Sequence, residues 1–189
     1  MRRRPISLRL RLSTGAGGLA ALAIVAALLA AYGVRQALWL GDDAAGAQRR
    51  IDAYGTLSAR VTEVVLTPAN QRERVVRAVL DDFGRLDQLV GADIASVSGD
   101  DARSLAAQGQ ALGRMRGVFL RLTQDLDSMA ADAAQRDAAL NSFAQIFSPL
   151  LRDQVEYSHL RRDAALTALD RLLQRMVALS VAVVLAVAA

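Results

Sequence analysis

Arg49 and Arg50 stand side by side in the stretch AAGAQRRIDAYGTLSARV, residues 44–61, with Gly46 and Ala47 just ahead of them and Tyr54 one helical turn on. A guanidinium is a planar fork of N–H donors suited to carboxylate, nitrate or phosphate. Small residues at 46 and 47 let a second backbone come close, so two apposed copies of this helix could bring two Arg49 side chains onto one anion. Arg49, Arg50, Gly46 and Tyr54 are therefore the candidate ligand-binding residues. The competing reading puts both arginines on a solvated helix face, paired with Asp52 or Asp42, where such pairs contribute little.

Other chemistry is poorly supplied. The chain has no cysteine, which removes disulfides, thiolate zinc sites and cysteine nucleophiles, and a single histidine, His159, which removes multi-histidine metal sites. There is no glycine-rich phosphate loop and no HExxH helix. GAGG at 15–18 opens an apolar run instead of following a strand. The carboxylates lie among arginines at helix-surface spacing, as Asp137 does near Asn141, and read as solvated faces. His159, in EYSHLRRD, reads as an ordinary helix residue, with a pH switch as the alternative because histidine titrates near neutrality. The sequence thus predicts no catalytic residue, no metal and no cofactor, and a non-enzymatic role.

Charge placement points to lipid. All six arginines of residues 1–39 lie there without an acid, whereas residues 40–189 carry 17 arginines against all 19 acids. The scattered, alternating charges of the latter lack the basic stripe of a nucleic-acid surface. Between Arg11 and Arg35 run 23 uncharged residues, roughly 35 Å as a helix and enough to cross a bilayer. Five arginines precede that run and one follows it, which orients the N-terminus toward the cytoplasm. The run is too long, and its small residues too poorly placed, for a cleaved signal peptide. The closing stretch after Arg175 is apolar but for Ser180 over fourteen residues. It reads as the first part of a second span, which makes the sequence a fragment of a longer protein. Small residues every fourth position, Ala23, Ala27, Ala31 and Ala178, Ala182, Ala186, would let the two spans pack closely.

The elements between these runs read as helices. With Ala, Leu and Arg abundant and only three prolines, helix is favoured nearly throughout. One apolar stripe runs Leu40, Ala44, Ala47, Ile51, Tyr54, Ser58, Val61, Val65, and stops at LTP, where Thr67 can cap and Pro68 can open the next helix. A second runs Val76, Val79, Phe83, Leu86, Val90, Val97, and SGDD breaks it, with Asp100 or Asp101 as the next cap. A third runs Leu105, Gln108, Leu112, Met115, Phe119, Leu122, Leu126, Met129, Ala133. The fourth passes through Val155, Leu166, Leu169, Leu172 and Met176. The turn between the third and fourth is expected within 133–149, from FSP, from a capping-box pattern in SFAQ, and from an even division of the length up to Arg175. The predicted fold is all-α: an antiparallel four-helix bundle, residues 36–175, between a first transmembrane helix at 13–35 and a truncated second at 176–189, with 1–12 a basic cytoplasmic start.

This layout resembles the N-terminal sensory half of bacterial transmembrane receptors, sensor histidine kinases and methyl-accepting chemotaxis proteins. Within it, AGAQRR at 45–50 is similar to the A-G-x-(L/Q)-R-M core of the motif in nitrate/nitrite sensor kinases and the type IV pili methyl-accepting family. On that resemblance Gly46 matches the motif glycine, Arg49 the ligand-contacting arginine, and Arg50 stands where the family has methionine. The resemblance implies a signal-transmitting input region in the bacterial inner membrane with residues 36–175 periplasmic or extracellular. Its expected partners are the lipid bilayer, a second copy in a homodimer, and a small anionic ligand or a periplasmic binding protein, with no nucleic acid. The bundle can equally bury its stripe within a monomer. A chemoreceptor or membrane cyclase would share this front end, and the alternative outside signalling is a structural membrane hairpin.

Overall fold

A computed structural model describes residues 8–97, 99–128 and 133–188. The chain is all-helical, with four helices and no strand among these residues: α1 (Leu8–Leu66), α2 (Ala69–Ser96), α3 (Asp100–Ser128) and α4 (Ala133–Ala188). The breaks fall where backbone chemistry requires them. Between α1 and α2, Pro68 takes an extended ψ of 150° and its carbonyl accepts the Gln71 N–H at 3.0 Å. Thr67 is not the cap the sequence suggests: its hydroxyl turns back to donate to the Glu63 carbonyl at 2.7 Å. Between α2 and α3, Val97 is extended and Gly99 has φ +74°, a left-handed conformation that costs glycine little. The Gly99 carbonyl accepts from Arg103 N.

The third junction corrects the sequence reading. No break falls within 133–149; α4 runs unbroken through it, with Pro149 inside the helix. Ser142 of the expected capping box and Ser148 of FSP are both mid-helix residues. Residues 129–132, which separate α3 from α4, lie outside the described part, as does Met129 of the third stripe. The even division erred because it counted the bundle up to Arg175, whereas the compact unit ends at Asp163, which moves the midpoint toward the chain start. An interior proline forfeits one backbone hydrogen bond, a cost that packing on both of its sides can offset.

The chain divides into two compact units, Ala44–Asp163 and a second made of residues up to Asp43 together with Ala164 onward. In the first, the core is apolar and drawn from all four helices: Leu57 and Val64, Val79 and Phe83, Met115 and Phe119, Phe143 and Phe147 are all buried. Phe83 and Phe119 meet with ring centroids 6.0 Å apart at 44°, and Phe143 stacks on Phe147 at 4.8 Å, geometries that aromatic quadrupoles favour. Each such side chain contributes about 1.5–3 kcal/mol through burial. The buried line on α1 is Ala47, Arg50, Tyr54, Leu57, Val61, Val64; Ile51, Ser58 and Val65 of the predicted stripe lie beside it, half-buried.

The other unit has the reverse character. The helix among the described residues that is long and apolar enough to cross a membrane, Ala23–Leu66, judged by length and composition, has its first part, up to Asp43, in this unit. Ile24, Val25, Leu28 and Tyr32 of α1 and Val177, Val181, Val184 and Leu185 of α4 are exposed. The two helices meet at Gly33, which is buried against Met176: a Cβ built on this glycine would overlap the Met176 sulfur. Ala26 and Ala30 face Met176, Ser180 and Val183 across a small crevice. The small residues at the contact are thus Ala26, Ala30 and Gly33. Ala23, Ala27, Ala31, Ala178 and Ala182 of the expected stripes are exposed, and the Ala186 side chain lies outside the described set.

Candidate functional site

Three of the four predicted site residues come together inside Ala44–Asp163, and they do so in the core. Arg50 is fully buried and ion-paired with Asp93 of α2, which is 27% exposed. Tyr54, one turn on, is also fully buried, and its hydroxyl donates to Gln154 Oε1 of α4 at 3.4 Å. Burial pushes the Tyr54 pKa up to about 12, and the nearby Arg50 charge only partly opposes this. Gly46 is buried beside the pair, and a Cβ there would lie 3.5 Å from Asp93 Oδ1. Arg49, by contrast, is exposed. Arg49 thus lies on the solvated face, without the expected pairing to Asp52 or Asp42 among the described residues, whereas Arg50 does not lie on that face. Asp52, the partner proposed for these arginines, instead accepts from Gln48 at 2.8 Å.

Contacts between the helices set the level of this site. Arg60 donates to both Asp82 oxygens at 2.9 Å, fixing α1 against α2. Arg72 to Asp127 at 3.0 Å and Phe83 to Phe119 fix α2 against α3. Arg162 to Gln48 Oε1 at 3.1 Å and Tyr54 to Gln154 fix α4 against α1. Stepping along each helix from these contacts puts Arg50, Asp93, Gln108 and Ser158 at one level, with Tyr54 and Gln154 one turn deeper. Of the buried polar side chains among the described residues, only Thr123 lies away from this layer.

Within the layer the hydrogen bonding is uneven. Ser158 is fully buried and donates to the Gln154 carbonyl at 2.9 Å. Gln108 is 4% exposed, and neither amide atom has a hydrogen-bond partner among the described residues. An unsatisfied buried amide costs about 1–3 kcal/mol. The layer thus combines a buried cation, a carboxylate reaching solvent, and an amide with open bonding capacity.

One residue here was missed in the sequence, Asp93; Gln108 stands in the third stripe as expected. The signal existed. Ala47, Tyr54, Leu57, Val61 and Val64 form an unbroken three–four alternation if Arg50 fills its one gap, and Asp93 sits in the gap of the second stripe between Val90 and Val97. Opposite charges in the stripes of successive helices are the mark of a buried pair.

Farther along, α4 is flanked by clefts. One, of about 420 Å³, lies against α3 between Leu122, Arg121 and Asp125 on one wall and Gln135, Ser142 and Phe143 on the other. Another, of about 340 Å³, lies against α1 between Val61 and Val65 and Leu140, Ala144 and Phe147. Both volumes are in the range of small-molecule sites. His159 is half-buried and belongs to neither. Among the described residues no group of three or more His, Asp or Glu could hold a metal.

Fold and site together define an all-helical bundle built around a buried arginine–aspartate layer, joined to a unit of exposed apolar helix. No protein-family model, characterised protein or solved structure matches the chain.

Proposed function

We propose that this chain is the input region of a two-span bacterial receptor, of the sensor-kinase or chemoreceptor kind, in which a ligand changes how the helices of the bundle pack. In this reading Ala44–Asp163 is an antiparallel, up-down-up-down four-helix bundle outside the cytoplasmic membrane, and the apolar parts of α1 and α4 cross that membrane with the N-terminus inside. The observation that carries it is the double use of α1 and α4. Each is one unbroken helix that supplies a wall of the bundle core at one end and, at the other, apolar side chains left exposed. Lipid would cover those side chains, and the Gly33–Met176 contact supports two spans packed side by side.

The polar layer is the element suited to switching. A buried pair is an insecure contribution to stability, since desolvation offsets much of its attraction. Asp93 is accessible enough to be displaced. An anion that replaces it at Arg50, and takes the open Gln108 amide, would shift the equilibrium between two packings by its differential affinity for them. Arg49 stands exposed beside it, where it would attract such an anion.

Lack of cysteine makes the test clean. Single cysteines at Thr62, in the bundle, and at Leu8 should differ in intact cells: an impermeant maleimide labels the first and reaches the second only after lysis. Labelling of both or neither before lysis rejects the topology. A paired Ala30→Cys and Ser180→Cys variant should then crosslink at a rate that changes with signal state, tested first with nitrate and short carboxylates. A rate indifferent to all of them removes the anion-switch mechanism.

A further inference from the structure

The unit containing Gly33 and Met176 holds a second feature that the sensory reading does not use. A crevice of about 290 Å³ is lined by Gln36 and Leu40 of α1 and by Ala168, Arg171, Leu172 and Arg175 of α4. The Gly33–Met176 contact sets its register: these residues begin one turn beyond that contact on α1 and immediately before it on α4. The crevice therefore lies where both apolar runs give way to charged sequence. Arg171 and Arg175 are exposed, one turn apart on the same helix, and have no hydrogen-bond or ion-pair partner among the described residues. Arg35, next to Gln36 in the chain, is exposed and likewise without a partner. The neighbouring acid on α4, Asp170, accepts from Gln174 at 2.9 Å. Asp42 and Asp43 follow Leu40 on α1 by two and three residues and are not among the lining residues. Trp39, 51% exposed, is of the residue type that settles at a membrane–water boundary.

We infer that this crevice binds the phosphate of an anionic membrane phospholipid, with Arg171 and Arg175 as its ligands. The inference rests on the membrane reading above. Arginine forks match phosphate oxygens two at a time. Three arginines on the side opposite the N-terminal cluster run against the usual charge bias, and a headgroup ligand supplies the reason. Gln36 adds a neutral donor, while Leu40 and Leu172 offer apolar surface to the glycerol and upper acyl chain. Any phosphate shares this chemistry; the apolar walls select the lipid over the free ion.

The test uses the whole chain. It is first floated with vesicles of phosphatidylcholine containing one-fifth phosphatidylglycerol, then extracted in mild detergent and weighed by native mass spectrometry. The expected result is flotation, with phosphatidylglycerol retained well above its share of the vesicle. The Arg171→Gln, Arg175→Gln double variant should float equally and lose at least about ten-fold of that retention, which corresponds to about 1.4 kcal/mol. Equal retention by variant and parent overturns the headgroup site while leaving the membrane reading intact. Failure of the parent to float overturns both. Displacement of the lipid by millimolar inorganic phosphate would show a site for the free ion and overturns the lipid assignment.

Discussion

The two ends of the Ala44–Asp163 bundle are built on opposite principles. Where the chain enters and leaves it, Arg50, Asp93, Gln108, Ser158, Tyr54 and Gln154 place charge and amide groups in the core. Farther along, Phe83 packs on Phe119 and Phe143 on Phe147, with leucine and valine between them. Apolar packing is non-directional and tolerates small shifts, whereas a buried ion pair is either made or costly. The comparison teaches where a two-state rearrangement would be stored: in the polar layer, with the aromatic part holding the helices together in both states.

The largest effect should come from Asp93→Ala, which leaves Arg50 buried without its carboxylate. Thermal or urea unfolding of the detergent-solubilised chain should show a loss of about 3–5 kcal/mol. Arg50→Met should cost less, because Asp93 already reaches water. The double change Arg50→Met with Asp93→Leu should be neutral or stabilising by up to about 1–4 kcal/mol. A double variant as unstable as Asp93→Ala would erase the contrast between the two ends, since Phe119→Ala has no such compensating partner and should cost about 3–5 kcal/mol by leaving a cavity.

Pro149→Ala restores the missing backbone bond in the α4 segment between the two clefts and should add about 1–3 kcal/mol. Unchanged stability would mean the helix is already relaxed around the proline. Gln108→Leu removes an unsatisfied amide at nearly constant volume and should add about 1 kcal/mol. A destabilising result would show that the amide is satisfied in solution, by water or an ion, which would sharpen its assignment to a binding role.

The smallest and most local effect is optical. Tyrosinate absorbance, taken as the difference between the parent and Tyr54→Phe, should titrate near pH 12. An unfolded tyrosine ionises near 10. Between these values the unfolded chain releases a proton that the folded chain keeps, so Tyr54 lowers stability as pH rises through that window. A difference titration centred near 10 would place Tyr54 in contact with water.

Much of the helix layout was legible. The third stripe is buried at every described position from Leu105 to Leu126, because leucine, methionine and phenylalanine at three–four spacing have no other stable place. The breaks at Pro68 and Gly99 follow from one residue each. The α3–α4 junction was not legible, because capping signals are local and weak, and a proline within a helix resembles a proline that opens one. The candidate site was half legible: Gly46, Arg50 and Tyr54 were found as neighbours in sequence, but Asp93, the residue that makes Arg50 tolerable in a core, lies 43 positions away.

By itself the sequence determined helix type, the two broken turns, and a chain divided between a charged middle and apolar ends, since backbone propensity and side-chain periodicity are properties of neighbouring residues. Only tertiary structure decided that Asp93 is the partner of Arg50, that Tyr54 meets Gln154, and that Gly33 receives Met176. These depend on which distant side chain fills the space opposite, and on whether a charge meets its opposite there or water.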